Sequence, residues 1–302
     1  METIAALVVT YNRLPDLKKC LDTLRQQTRP LDAILIVNNG STDGTAEWLA
    51  TQTDLLVTTQ ANLGGAGGFA TGIDTAYRAG HTWIWCMDDD CLAAPDALAA
   101  LLAAPNLGPC IKNSMSVSMN SRDELAFFVD RPNQAYRKVS DMTGVDLVYG
   151  VASFFNGTLV HRNVVETIGI PDKELFIWGD EMEYMTRAQK NGFPIVTVPS
   201  SVFYHPASFD RDCIPWPAAW KQYYAVRNQR RILQNQFGNT LGRVLYASWA
   251  AKATLQQARA KRGNRLYNFL LYGEAAIDSL TNNFRKRPDT IRTLQLYKWR
   301  NK

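Results

Sequence analysis

Cysteine and long apolar runs are scarce in this sequence. Its five cysteines are Cys20, Cys86, Cys91, Cys110 and Cys213, and no two of them form a C-x-x-C pair. That spacing argues against a zinc site or a disulfide framework, so we expect buried thiols that pack as small apolar side chains. No apolar run reaches the ~18 residues that a membrane-spanning helix requires.

A basic signal segment is also absent from the start of the sequence. Met1 and Glu2 lead directly into the strand-like run Ile4–Val9, with no Lys or Arg before it. Secretory signals begin with a positively charged stretch. We therefore expect a cytoplasmic protein.

Acidic residues are rare in the C-terminal part of the chain. Residues 240–302 contain 13 Lys or Arg and 3 acidic residues, whereas residues 1–239 contain 20 basic and 25 acidic ones. A basic extension on a mildly acidic body suggests an anionic partner, such as nucleic acid or a membrane surface. A solvated charged face has the same composition, so charge alone does not decide between these interpretations.

The first ninety residues alternate between strand-like and helical segments. Strand-like runs lie at Ile4–Val9, Ala33–Val37, Leu55–Thr59 and Trp83–Met87, and the segments between them have helical spacing. This alternation predicts a parallel sheet with helices packed on its faces. Ligands of open α/β sheets bind at the carboxyl ends of the strands, so residues that follow these runs are site candidates.

The rest of the chain is less regular. APDALAALLAAP predicts a short helix, LVYGVASFFNGTLVHR a strand–turn–strand unit, and PIVTVPSSVFYHP a strand pair broken by Pro199. DEMEYMTRAQKNG predicts a helix that ends at Gly192, and three helical segments follow from about Trp216. We expect one domain over residues 1–235 and a basic helical region over residues 236–302.

Three consecutive aspartates follow the fourth strand-like run, in WIWCMDDDC at residues 83–91. Carboxylates at the end of a buried strand are costly unless water or a cation neutralises them. A D-x-D arrangement offers oxygen ligands that suit Mg²⁺ or Mn²⁺, ions that commonly bridge diphosphates. Asp88 and Asp90 are therefore candidate metal ligands, and an exposed turn is the alternative.

Other polar motifs follow strand ends or begin helices. VVTYNR ends the first strand-like run, VNNGSTDGT ends the second, and NLGGAGGF precedes the third predicted helix. An aromatic ring and amides beside a strand end can stack on and hydrogen-bond a nucleobase, and glycines allow close backbone approach or a tight turn. The acidic WGDEMEY offers a general base, or simply a favourable helix N-terminus.

In this order, the motifs resemble the family-2 inverting glycosyltransferases of the GT-A fold. The matching stretches are VVTYNR, VNNGSTDGT, DDD and WGDEMEY, over roughly residues 3–235. NLGGAGGF, DDD and FIWGDEMEY are most similar to the galactofuranosyltransferase branch, which uses UDP-galactofuranose to extend bacterial surface glycans. YYAVRN at residues 223–228 is also similar to the rhamnosyltransferases, which would make dTDP-rhamnose the donor.

The resemblance implies a GT-A nucleotide-sugar-binding fold: a mostly parallel central sheet with helices on both faces, followed by a helical C-terminal extension. Asp88 and Asp90 would bind Mn²⁺ or Mg²⁺, and His205 in FYHP would complete the coordination. Glu181 or its neighbour Asp180 would be the base that deprotonates the acceptor hydroxyl.

The resemblance also assigns the nucleotide and sugar contacts. The family usually has an aspartate where this chain has Asn38, whose amide can still bond a uracil ring. The residues with implied nucleotide contacts are Thr10, Tyr11, Asn12, Arg13, Asn38, Asn39, Gly64, Gly65 and Asp89, and those with implied sugar contacts are Trp178, Asn156 and Gly157.

The implied partners are a UDP-sugar and a lipid-linked glycan acceptor, in bacterial surface polysaccharide synthesis, with no nucleic acid. Basic residues interleaved with Leu245, Trp249 and Leu255 can bind an anionic membrane, which would hold the protein on the inner face of the membrane. A helical bundle, or a homo-oligomer contact such as a dimer, with the basic residues on a solvated rim, is the alternative. These basic residues are Arg243, Lys252, Arg259, Lys261, Arg262 and Arg265.

Two other classes of protein share parts of this pattern. IWCMDDDC also resembles the strand and D-x-D of haloacid-dehalogenase-type phosphatases. Those enzymes place the motif after their first strand and have Thr or Val where this chain has Leu92. A non-catalytic nucleotide- or glycan-binding module would keep the D-x-D but tolerate loss of the carboxylates at 180 and 181.

Overall fold

The computed structural model describes residues 2–131, 134–206, 219–259 and 265–293. Over these residues the strands are Ile4–Thr10 (β1), Ala33–Asn38 (β2), Leu56–Thr59 (β3), Trp83–Asp88 (β4), Leu92–Ala93 (β5), Ile111–Ser118 (β6), Glu124–Arg131 (β7), Gln134–Lys138 (β8), Val148–Tyr149 (β9), Asn156–His161 (β10) and Ile195–His205 (β11).

The α-helices of the same residues are Leu14–Arg25 (α1), Thr45–Leu49 (α2), Gly64–Arg78 (α3), Ala97–Ala103 (α4), Arg162–Ile168 (α5), Asp180–Lys190 (α6), Ala219–Phe237 (α7), Asn239–Arg259 (α8), Arg265–Leu280 (α9) and Pro288–Thr293 (α10). Short 3₁₀ turns lie at Val139–Met142 and Lys173–Leu175.

One mixed sheet runs through the molecule in the order β3-β2-β1-β4-β10-β6-β11-β5. Strands β1 to β4 are mutually parallel, and β10 is antiparallel to both of its neighbours, β4 and β6. The four predicted strands are confirmed within one residue at each end. The mostly parallel sheet places the carboxyl ends of β1, β2 and β4 along one edge.

Helices cover both faces of the sheet, as predicted, and alternate residues of β1 show why. Ala6 and Val8 belong to a core with the apolar side of α1, whereas Leu7 and Val9 belong to a second core with Phe69 and Ile73 of α3. Side chains of a strand alternate between faces, so a strand buried on both sides reads as a continuous apolar run. Four cysteines are buried in these layers, as expected, and Cys213 lies outside the described residues.

The glycine-rich stretch is part of a helix and not the loop expected before it. Gly64 is the first residue of α3, so the glycines form its first turns. A Cβ on Gly68 would overlap Val9, and one on Gly72 would overlap Leu7. The helix therefore packs directly on β1, and the absence of side chains there matters more than the low helix propensity of glycine.

The strand pair predicted around Pro199 is also wrong, because the structure has a single strand, β11. Its parallel pairing with β6 is irregular between Val198 and Val202. Proline cannot donate a ladder hydrogen bond, and a bulge accommodates it without ending the strand. This continuity carries the strand to His205, at the same edge of the sheet as the aspartates.

The C-terminal helices pack on one another, and α7 joins them to α6. Helix α8 contacts α7 and α9, and α7 also contacts α6 and α9. The proposed domain boundary at residue 235 falls in the last turn of α7, which ends at Phe237. In the part of the chain that the structure describes, no helix combines the length and apolarity needed to cross a membrane.

Candidate active site

A cavity of about 740 Å³ opens at the edge of the sheet where β1 and β4 end. It brings together the carboxylates, the aromatic residue after β1 and the start of α6. Its lining residues are Val9, Thr10, Tyr11, Arg13, Asn39, Asn62, Gly64, Gly65, Phe69, Asp88, Asp89, Asp90, Phe127, Asn156, Phe176, Ile177, Trp178, Asp180, Glu181, His205, Trp220, Lys221, Arg287, Pro288 and Asp289.

The three aspartates have different environments. Burial, reinforced by repulsion from the neighbouring carboxylates, raises the pKa of Asp88 well above its ordinary value. Burial also raises the pKa of Asp89 to about 6, although Thr10 donates a hydrogen bond of 2.7 Å to this carboxylate. Burial opposes ionisation of Asp90 as well, but His205 and Arg13 outweigh it and lower the pKa of Asp90 to about 2. The cluster thus holds more negative charge than its protein cations offset.

Arg13, immediately before α1, is one of those cations. Its Nη1 contacts Asp90 Oδ2 and lies 3.8 Å from Asp89 Oδ1. Because the side chain is half exposed, this pairing orients the aspartates more than it stabilises the fold.

His205 faces the aspartates with one ring nitrogen. Its Nδ1 lies 2.6 Å from the carbonyl oxygen of Pro206, and its Nε2 lies 3.4 Å from Asp90 Oδ1. A neutral ring that donates from Nδ1 directs the Nε2 lone pair at a carboxylate oxygen, so a proton or a metal ion is needed between them. Phe127 of β7 packs against the imidazole, with ring centroids 4.7 Å apart.

These residues fit a divalent metal ion. Candidate ligand atoms of Asp90, Cys91 and His205 all lie within 4.8 Å of one another. Burial keeps the pKa of the Cys91 thiol well above its ordinary value, and its Sγ donates to Asn156 Oδ1 at 3.5 Å. A thiol is a poor metal ligand. The Asp90 carboxylate and the His205 imidazole remain, and ligands of these two kinds suit Mn²⁺ and Mg²⁺. Asp88 lines the same cavity but does not belong to this group of ligand atoms.

The acidic pair at the start of α6 faces the same cavity. Asp180 is buried, with 2% of its surface exposed, and its Oδ1 has no hydrogen-bond partner among the described residues. Burial and the adjacent Glu181 raise the pKa of Asp180 well above its ordinary value. Glu181 is partly exposed, and its Oε2 accepts a hydrogen bond of 3.2 Å from the Gly179 amide. The two acids are thus chemically distinct.

An aromatic and cationic wall lies beside this pair. Trp178 is 36% exposed, and Lys221 Nζ lies 5.6 Å from the centroid of its ring and 5.9 Å from that of Trp220. Burial, followed by repulsion from Arg13, lowers the pKa of Lys221. An exposed indole beside a carboxylate can stack on a sugar ring.

Three residues with predicted contacts do not line the cavity. Asn12 has φ +54° and accepts a hydrogen bond of 2.6 Å from the Thr42 amide, which joins two loops. Asn38 is wholly buried and accepts from the Ser41 amide at 3.0 Å. Gly157, at φ +80°, lies beneath the Phe203 ring. These three shape the loops behind the cavity, and the other predicted residues reach it.

The sequence interpretation missed much of the wall. Phe127, Phe176, Trp220 and Lys221 line the cavity, as does the segment Arg287 to Asp289 at the start of α10. Of these, only Phe176 belongs to a quoted motif, FIWGDEMEY, and it was not singled out as a site residue. Only the unusual density of Trp and Tyr between residues 216 and 224 hinted at a binding surface.

Comparison with known proteins identifies the family. Residues 5–110 match the family model "Glycosyl transferase family 2". Over 219 residues, which are 69% of this chain and 72% of the relative, the chain is 37% identical to the galactofuranosyltransferase GlfT1 of Mycobacterium tuberculosis. The chain belongs to glycosyltransferase family 2. It is a glycosyltransferase, which sets aside the phosphatase and the non-catalytic binding module.

Solved structures support the same fold. The chain is 14% identical to S. aureus TarS residues 1–349 in complex with UDP, with a TM-score of 0.55 over 99% of this chain and 91% of that one. It is 14% identical to GalNAc-T7 with UDP, GalNAc and Mn²⁺, with a TM-score of 0.60 over 90% of this chain and 55% of that one. The predicted GT-A fold is thereby confirmed.

Proposed function

We propose that this protein transfers galactofuranose from UDP-galactofuranose to a glycan acceptor, with inversion, in the synthesis of a bacterial surface polysaccharide. The observation that carries the proposal is the meeting of Asp88, Asp90 and Glu181 in one cavity beside Tyr11. The donor sugar is inferred from the relative, which is a galactofuranosyltransferase.

The similarity to rhamnosyltransferases does not bear on the donor. It lies in YYAVRN, where Arg227 and Asn228 are wholly buried, and neither lines the cavity. Their contacts are with the backbone of residues 174–178. We therefore assign these two residues a structural role, in which they hold the backbone of residues 174–178 and do not contact the donor sugar.

Asp88, Asp90 and His205 are the residues that would hold a divalent metal ion. When bound, Mn²⁺ or Mg²⁺ neutralises the diphosphate as a Lewis acid. The raised pKa of Asp88 supports this proposal, because an unpaired cluster of carboxylates is unfavourable without a cation.

The chain's own residues divide the remaining work. Tyr11, 46% exposed at the end of β1, would stack on the nucleobase, and Trp178 would stack on a sugar. Glu181 would take the proton from the acceptor hydroxyl, because its carboxylate reaches the cavity and Gly179 orients it. Asp180, whose pKa burial raises well above its ordinary value, would remain behind it.

The proposed donor is tested by parallel incubations with UDP-galactofuranose, UDP-galactopyranose and dTDP-rhamnose. Each contains Mn²⁺ and simple glycoside acceptors, and products are read by mass spectrometry. We expect transfer from UDP-galactofuranose at least tenfold faster than from the other donors. Faster transfer from dTDP-rhamnose would contradict the donor assignment and leave the family intact.

We also propose that the outward face of α8 binds anionic lipid near a lipid-linked acceptor. Leu241, Val244 and Leu255 are between 52% and 61% exposed on this helix. Residues 239–259 contain no Asp or Glu, and Arg243 and Lys252 are exposed among these apolar residues. An apolar face with basic residues and no acid matches a negatively charged bilayer surface.

This surface predicts a clear result in vesicle flotation. The whole protein should float with vesicles rich in anionic lipid, and Leu241→Glu combined with Val244→Glu should abolish flotation but retain transfer to a soluble acceptor. Gln256→Glu, which adds one charge on the same helix without removing apolar surface, is the control. If the double variant floats normally, or instead converts a dimer to a monomer, the lipid assignment is wrong.

A further inference from the structure

The backbone segment that leads into the acidic pair has an unusual conformation. Phe176 has φ +66°, Trp178 has φ +58° and Gly179 has φ +98°. Left-handed values are unfavourable for the two aromatic residues, and such conformations persist only where the surroundings hold them. The segment directly precedes Asp180 and Glu181, the first residues of α6.

Asn228 of α7 holds this segment from behind. Its side-chain amide nitrogen lies 2.9 Å from the carbonyl oxygen of Leu175, 3.1 Å from that of Ile177 and 2.6 Å from that of Trp178. The residue is wholly buried. The two N–H groups of one side-chain amide therefore face three backbone oxygens, those of residues 175, 177 and 178, within hydrogen-bond distance.

Arg227 fixes the orientation of that amide. Its Nε donates to Asn228 Oδ1 at 3.0 Å, so the amide nitrogen must face the carbonyls. The same guanidinium donates to the carbonyl oxygens of Glu174 at 3.1 Å and Leu175 at 2.9 Å. Its position is fixed in turn by Tyr224 and Phe284, whose ring centroids each lie 4.7 Å away.

The opposite side of the segment is held by α3. The Ala66 amide donates to the Phe176 carbonyl oxygen at 3.1 Å, and a Cβ on Gly64 would overlap that oxygen. At the other end, a Cβ on Gly179 would lie 3.2 Å from the Cβ of Asn228. The segment is thus clamped between two helices with little free space.

We propose that Asn228, oriented by Arg227, is a positioning residue for the catalytic carboxylate: it fixes the backbone of residues 175–178, and through Gly179 the direction of Glu181. The Gly179 amide that donates to Glu181 Oε2 belongs to the peptide bond whose carbonyl, that of Trp178, accepts from Asn228. The orientation of that peptide plane is therefore shared by both contacts. This proposal rests on the proposed role of Glu181 as base.

Neither aspartate nor leucine would replace asparagine at this position. Aspartate has no donor at neutral pH and would face three carbonyl oxygens with a negative charge. Leucine would leave the same three oxygens without this donor. The hydrogen bonds come from a side chain that touches neither the donor pocket nor the metal cluster, so its effect on the reaction is indirect.

The test is a double-mutant cycle on the full chain. Asn228→Ala should lower kcat by about 10²-fold, the loss expected from a misplaced catalytic group. The affinity for UDP with Mn²⁺, measured by calorimetry, should change less than threefold. Asn235→Ala is the matched control, because Asn235 lies on the same helix and donates at 2.9 Å to Glu183, outside this segment. It should retain wild-type kcat.

The double-mutant cycle distinguishes failure of the positioning role of Asn228 from failure of the proposed role of Glu181 as base. In a Glu181→Gln background, Asn228→Ala should lower the residual rate less than threefold, because both changes disable the same group. A further 10²-fold loss would overturn the positioning role. If Glu181→Gln alone leaves kcat intact, the base assignment fails instead. Should Asn228→Ala fail to fold, Asn228→Ser replaces it, and failure of both variants to fold overturns the proposal.

Discussion

Glu181→Gln is expected to lower kcat by about 10²–10⁴-fold, the contribution typical of a general base. The glutamine side chain keeps the size of glutamate and can still accept from the Gly179 amide, so the backbone arrangement should persist. UDP affinity should stay within threefold of wild type, because Glu181 is not among the proposed metal ligands. Initial rates at saturating donor and calorimetry with UDP measure the two quantities.

Asp180→Asn is the comparison that distinguishes the two acids. Because Asp180 is buried and its raised pKa favours the protonated form, an amide of similar shape should lower kcat by no more than about tenfold. A larger loss than that of Glu181→Gln would make Asp180 the base. Stability provides a second readout with a definite sign. Because the folded-state pKa of Asp180 is raised, the unfolded chain ionises this carboxyl above pH about 4, its ordinary pKa, more readily than the folded chain does, and stability falls as pH rises from there. Asp180→Asn removes this loss, so the free energy of unfolding at pH 7 should increase in the variant.

Removal of the metal should lower the transfer rate by an amount similar to the loss expected for Glu181→Gln. Chelation by EDTA is expected to reduce transfer by about 10²–10³-fold, because Lewis-acid stabilisation of a leaving diphosphate contributes several kcal/mol. Added Mn²⁺ should restore the rate. In the Asp90→Ala variant, added Mn²⁺ should not restore the transfer rate and should no longer increase the affinity for UDP.

Cys91→Ala is the matched control for the metal cluster. Its sulfur lies among the candidate ligand atoms, but burial keeps it a thiol, so Mn²⁺-dependent UDP binding should survive its removal. If UDP binds wild-type protein equally well with EDTA and with Mn²⁺, the metal assignment is wrong. If Cys91→Ala behaves like Asp90→Ala, the ligand set is different from the one proposed.

The four strands β1 to β4 were predicted well from the sequence because that part of the molecule is built from local patterns. Apolar runs such as Ile4–Val9 and Trp83–Met87 lie at the centre of the sheet. Because both of their faces are buried, their continuous apolar sequence indicates a strand. Tyr11 and Arg13 after β1, and the aspartates that end and follow β4, reach the cavity because parallel strands end at one edge. Strand order, register and the antiparallel insertion of β10 carry no such local pattern.

Errors occurred where tertiary packing overrides local preference. The glycines of α3 favour a loop by propensity, yet the close approach of the helix to Leu7 and Val9 requires them inside a helix. A proline usually ends a strand, but β11 accommodates Pro199 in an irregular stretch of its pairing with β6 and continues beyond it. Phe127 and Lys221 reach the cavity through contacts between distant segments, which no local periodicity encodes.

The segment from Arg287 to Asp289 forms part of the wall of a cavity that begins with Tyr11. During synthesis, every strand of the sheet leaves the ribosome before this segment is made. A nascent chain can therefore complete its sheet while one side of the pocket is still open to solvent. The same dependence cautions against shortened forms of the enzyme for crystallography or screening, since deletion of α10 would leave the sheet intact and reshape the pocket.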